Sequence, residues 1–209
     1  MPKFVRFNTG DATGRYGLLT EQEVVELDGS IYAAWTTTDR RYSLDQVKLL
    51  APCEPTKVVC VGTNYKQVLV AKEKPTPEEP VIFLKPSSAV AGPEDTIVYP
   101  PGLEKLGYEV ELAVVIKDKA KDVPQEEALK YVLGYTIAND ITAKDFMGKG
   151  PWTKGKAFDT FLPLGPCIAT EIDPNNTNLQ SRLNGDLTQN ANTSDMVFSV
   201  ADIITYVSA

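Results

Sequence analysis

Two glutamates, Glu109 and Glu111, stand at the start of the run "YEVELAVVI". The run is apolar and β-branched, so it reads as a buried strand. Side chains alternate across a strand, which puts positions i and i+2 on one face. Both carboxylates then point the same way, beside Leu112, Ala113, Val114, Val115 and Ile116. An ionised carboxylate buried without a partner is strongly unfavourable. An arginine, protonation of one acid, or a metal ion would relieve it. A strand end reaching solvent is the plain alternative, and a bare E-x-E leaves the two readings evenly balanced.

A third acid, Asp140, closes the apolar run "YTIAND". Glu109, Glu111 and Asp140 have no Cys or His near them in sequence and form an oxygen-only donor set. Such a set suits Mg2+, Mn2+ or Ca2+ and not Zn2+ or Cu2+. Three carboxylates would leave positions for water or a chelating substrate. Lys154 and Lys156 lie in "WTKGKAFDTFLPLGP". A lysine beside a divalent ion would steer and neutralise an anionic substrate; two solvated surface lysines are the ordinary alternative. Tyr65, in "VGTNYKQVLVAKEK", reads by itself as a packed residue. The chain has no histidine, so proton transfer must use other side chains.

The elements that must hold these groups are mostly strands. "FVRF", "YGLLT" and "EVVELDG" are short strand-like runs within the first fifty residues, and "SLDQVKLL" carries a helical turn. "KVVCVG", "VIFLKP", "GYEVELAVVIKD", "YTIAND" and "CIATEI" read as further strands. "NYKQVLVAKEK" predicts a helix with Asn64 as N-cap. "PQEEALKYVLGY" predicts a second helix, with acids in its first turn and Gly134 as its stop. Asn184-Gly185 predicts a hairpin. "SVADIITYVSA" predicts a terminal helix capped by Ser199. Many strands with few helices make the fold class α+β and β-rich.

The net charge of −7 argues against nucleic acid or an anionic membrane as partner, since both need clustered Lys and Arg. No apolar run approaches the ~18–20 residues of a membrane span, and "MPKFVRFNTG" leads into no signal-peptide core. Cys53, Cys60 and Cys167 show no metal or redox spacing and fit buried thiols in a reducing compartment. A cytoplasmic location is expected.

In chain order, "CVGTNY", "EPVIFLKPSSAVAGP", "YEVELAVVI", "GYTIANDITAKD", "WTKGKAFDTFLPLGP" and "NTSDMVFSVADIITYVS" closely resemble the fumarylacetoacetate hydrolase family. The resemblance implies a small N-terminal β-rich domain over residues 1–52 and a catalytic domain of mixed β-sheet over 53–209. It implies Mg2+ or Mn2+ held by Glu109, Glu111 and Asp140, a catalytic Lys156, and a substrate contacted by Tyr65, Lys144 and Lys156. Small 2-oxo or 1,3-diketo acids are the implied substrates, and a homodimer the implied assembly. The implied reactions are C–C hydrolysis, oxaloacetate decarboxylation and isomerisation of hydroxymuconate-type dienes.

The sequence departs from the family pattern in three places. Val68 stands at the usual histidine and Ala71 at its acid partner. Lys144 and Met147 replace the Arg and Gln of A-R-D-x-Q. The family pattern also continues well past "YVSA", so the catalytic domain is expected to be C-terminally incomplete. Losing a general base costs hydrolysis ~10²–10⁴-fold. Decarboxylation and tautomerisation rest mainly on a Lewis acid that holds an enolate. The expected activity is slow and decarboxylase- or isomerase-like. The alternative is a catalytically impaired relative that serves as a binding or scaffold protein.

Overall fold

The computed structural model describes residues 2–11, 13–148 and 151–209. Among them, fifteen strands outnumber four short α-helices, the β-rich α+β class expected from the sequence. The strands of the first part are β1 (Lys3–Asn8), β2 (Arg15–Leu19), β3 (Glu23–Gly29), β4 (Trp35–Ser43) and β5 (Lys48–Leu50). β6 (Val58–Gly62), α1 (Lys66–Ala71), β7 (Val81–Lys85), β8 (Val90–Ala91) and β9 (Leu106–Gly107) follow. Next come β10 (Val110–Ile116), β11 (Val132–Asn139), β12 (Thr142–Ala143), α2 (Lys144–Met147) and α3 (Thr153–Lys156). β13 (Leu162–Ala169), β14 (Asn178–Leu183), β15 (Asp186–Asn192) and α4 (Val200–Ser208) complete the chain.

The main sheet runs β10-β11-β13-β1-β2-β3-β4, with β5 also on β1 and β8 on β13. β1 pairs antiparallel with β13, so the sheet continues across residue 52. Its core does the same: Phe4, Leu27 and Ile31 pack with Leu162, Leu164 and Ile168. β6–β7, β9–β12 and β14–β15 form separate antiparallel pairs.

The hairpin signal at Asn184-Gly185 is realised between β14 and β15, with both residues at positive φ (+52° and +92°) as a tight primed turn requires. Ser199 caps α4 in a reciprocal box with Asp202. Two local expectations are corrected. Asn64 does not cap α1; Tyr65 holds that position, and the Asn64 amide is used elsewhere. Residues Gln125–Tyr131 form a 3-10 helix, and the chain then turns directly into β11. Gly134 is a strand residue, not a helix stop. A Cβ there would stand 2.6 Å from the Ala169 carbonyl oxygen, so glycine allows β13 to approach.

Candidate functional site

The three acids meet where β10 begins and β11 ends. The strands pair antiparallel with Val110 opposite Asn139 and Glu111 opposite Ala138. The Asp140 N–H donates to the Glu109 carbonyl at 2.8 Å, extending that register by one residue. Residues opposite each other in an antiparallel pair share a face. Glu109, Glu111 and Asp140 therefore project to the same side. Glu109 lies just outside β10 and its side chain is 52% exposed, so only Glu111 and Asp140 are withdrawn from solvent as expected of a core strand. Burial, then the charges of Glu109 and Asp140, push the Glu111 carboxyl up to about 8.

Lys156 is brought in by α3. Trp152, the helix's first flanking residue, accepts from the Lys156 N–H at 3.0 Å. Gly155 lets this short helix sit against α2 and β12, because a Cβ there would stand 2.8 Å from the Ala143 carbonyl and collide with Met147. The Lys156 side chain is buried, and its ammonium bonds to Asp140 Oδ2 and lies 3.3 Å from Glu109 Oε2. Its Nζ also stands 5.1 Å above the Phe83 ring, a cation–π contact. Phe83 meets Trp152 edge-on at 5.2 Å.

A second lysine, which sequence reasoning missed, completes the cluster. Lys85 ends β7 and is 1% exposed. Its ammonium donates to the carbonyls of Ile141 (2.9 Å), Lys156 (2.8 Å) and Phe161 (2.8 Å), and lies 2.9 Å from Asp140 Oδ1. Three carbonyls use all three N–H donors of an ammonium. Asp140 Oδ1 is thus ion-paired but accepts no hydrogen bond. Burial pulls Lys85 below the usual lysine range, while Asp140 opposes the shift.

Among the described residues, no three acidic or thiol groups converge closely enough to enclose a metal ion. The Lys156 ammonium stands between Asp140 and Glu109 instead. The expected triad is gathered but not closed. Its chemistry nevertheless fits a hard divalent cation. Asp140 Oδ1 is a buried carboxylate oxygen without a donor, and Glu111 is destabilised as an anion by burial first and then by its two acidic neighbours.

Tyr65 is half-buried, and burial with the charges of Glu111 and Asp195 raises its hydroxyl above the usual tyrosine range. Lys144 is exposed, and its chain lies over Gly107, where a Cβ would meet Cε at 2.4 Å. Among the described residues no ion pair joins it to the three acids. Val68 is half-buried on α1, and Met147 packs over Gly155. Asn64 ties this wall to the C-terminal part: its Nδ2 donates to the Phe198 carbonyl and its Oδ1 accepts from the Phe198 N–H, both at 2.9 Å. Cys60, opposite Phe83 on β6, has a thiol that burial pushes up to about 12, helped by Asp140.

The sequence model of the fumarylacetoacetate (FAA) hydrolase C-terminal family matches residues 57–209. The Rv2993c-like N-terminal family model matches residues 3–52. An uncharacterized protein of Archaeoglobus fulgidus is 46% identical over 167 residues, which are 79% of this chain and 67% of that protein. The mitochondrial oxaloacetate tautomerase FAHD2B of Bos taurus is 45% identical over 170 residues, 78% of this chain and 54% of that protein. The chain thus spans between half and about two thirds of the length of these relatives. The crystal structure of 2-hydroxyhepta-2,4-diene-1,7-dioate isomerase from Mycobacterium marinum superposes with a TM-score of 0.91 at 36% identity, covering 100% of this chain and 82% of that one.

Proposed function

The chain belongs to the fumarylacetoacetate hydrolase family, and we propose that it is a divalent-metal-dependent enzyme that moves a proton on small 2-oxo acids. Oxaloacetate tautomerisation and isomerisation of hydroxymuconate-type dienes are the favoured reactions, supported by similarity to a tautomerase and an isomerase of those kinds. Decarboxylation of a 2-oxo acid comes next. Hydrolysis ranks last, because Val68 accepts no proton and the chain has no histidine. Mg2+ or Mn2+ as the ion, and a homodimeric, cytoplasmic enzyme, belong to the same proposal.

The observation that carries the reading is the buried Lys156 ammonium set against Asp140 and Glu109 on the face that Glu111 shares. A divalent ion held by Glu109, Glu111 and Asp140 would act as a Lewis acid toward a 2-oxo carboxylate. Lys156 would turn from Glu109 to the substrate and donate to the oxygen on which enolate charge develops. Asp140 would keep that ammonium aimed. Phe83 and Trp152 give the lysine an apolar wall that strengthens its field. Lys85 would hold Asp140 without leaving its three carbonyls. Tyr65 would line the substrate's path near Glu111, and Lys144 would reach it by swinging away from Gly107.

The test follows the ultraviolet absorbance of enol-oxaloacetate as it ketonises, with Mn2+ present throughout. The wild-type chain is expected to accelerate the decay above Mn2+ alone, and Lys156→Met to lose ~10²-fold or more of that rate. No acceleration by the wild type would defeat the enzymatic reading and leave the binding or scaffold role.

A further inference from the structure

The β14–β15 hairpin projects an exposed turn, with Leu183 and Leu187 about half exposed, and none of the chemistry above uses it. One of its side chains nevertheless reaches the E-x-E strand. Resting on the metal reading above, we propose that Gln189 is a positioning residue that sets the relative geometry of Glu109 and Glu111.

β10 is an edge strand of the main sheet, and among the described residues β11 is its only ladder partner. The Glu109 carbonyl turns toward β11, where it accepts from Asp140. Backbone groups alternate in direction along a strand, so the Val110 N–H and C=O turn outward. Such outward groups at an edge end meet water and leave the strand free to fray. Gln189 occupies them both: Val110 N–H donates to its Oε1 at 2.9 Å, and its Nε2 donates to the Val110 carbonyl at 3.1 Å. The side-chain amide does what a peptide unit of a neighbouring strand would do.

Val110 is the residue between the two glutamates. The twist of its backbone sets the angle between the flanking side chains, so a clamp on both its polar groups fixes both carboxylates. The hairpin gives the clamp a firm base. Thr193, 2% exposed, donates its N–H to the Thr177 carbonyl at 2.9 Å and accepts from the Thr177 N–H at 2.8 Å. Asn192 Nδ2 donates to Asn178 Oδ1 at 2.8 Å.

The test measures Mn2+ affinity by the electron paramagnetic resonance of free Mn2+, using the whole chain as wild type, Gln189→Leu and Gln189→Asn. Asn keeps the amide but its side chain is too short to bring it to Val110, so it separates reach from polarity. Both variants are expected to keep the wild-type circular dichroism and to lose about tenfold or more in affinity, as partners behind metal ligands commonly do. In the metal-free chain, amide exchange at Val110 is expected to quicken in both variants while Ala113, whose N–H faces β11 opposite Thr136, stays protected. A residue that merely anchored the hairpin would leave Mn2+ affinity untouched. Wild-type binding retained by both variants, or an unchanged Val110 exchange rate, would overturn the role of Gln189. A wild-type chain without Mn2+ affinity would instead overturn the metal reading on which it rests.

Discussion

Lys85 donates to three backbone carbonyls and stands beside Asp140, so removing its ammonium takes a buried donor from the Ile141, Lys156 and Phe161 carbonyls and an ion-pair partner from Asp140 at once. Breaking a buried pair from one side costs about 3–5 kcal/mol. Lys85→Met is therefore expected to lower the free energy of unfolding by about that amount in urea titrations. Lys156→Met should cost less, because Asp140 keeps Lys85 beside it; equal losses would contradict the division of labour between the two lysines. That Glu109 and Glu111 share one strand face was legible from their spacing alone. Lys85 was not, since a lysine ending "VIFLKP" reads as a solvated strand terminus. Its partners lie 56, 71 and 76 residues away, and no local pattern carries such contacts. The position of Lys156 between Asp140 and Glu109 was likewise unreadable, because it depends on where α3 docks.

Elements with strong local chemistry were legible for the same reason. The turn between β14 and β15 and the cap of α4 are decided by a few adjacent residues, and both formed as read. The segment Gln125–Tyr131 has acids in its first turn and a helical pattern, yet becomes only a 3-10 helix. Residues 132–139 are claimed by pairing with β10 and β13, and tertiary pairing overrides propensity. Glycines in strands mark close approaches that sequence alone cannot assign. Gly62 ends β6 directly against Trp152, and a Cβ would stand 2.2 Å from that ring. Gly62→Ala is expected to destabilise by about 1–3 kcal/mol through overpacking and to shift the fluorescence of Trp152, whose ring braces Phe83 beneath Lys156. An alanine variant with unchanged stability and emission would show that the wall yields freely.

At the scale of the whole molecule, one core joins the first five strands to the rest. Phe4, Leu27 and Ile31 pack on Leu162, Leu164 and Ile168, and β1 bonds to β13. The site lies at one end of that same sheet, on β10 and β11, so a ligand bound there stabilises the entire fold and not a local patch. The central claim is that Glu109, Glu111 and Asp140 hold a divalent ion to which a 2-oxo acid binds. Thermal melting of the full chain tests it directly, first with Mn2+ and then with oxalate added as an enolate mimic. A ligand at about a hundred times its Kd adds ~2.7 kcal/mol, worth about 5–10 °C in a domain of this size. One cooperative transition is expected, raised by Mn2+ and raised again by oxalate. A cooperative melt that neither ligand moves would contradict the claim.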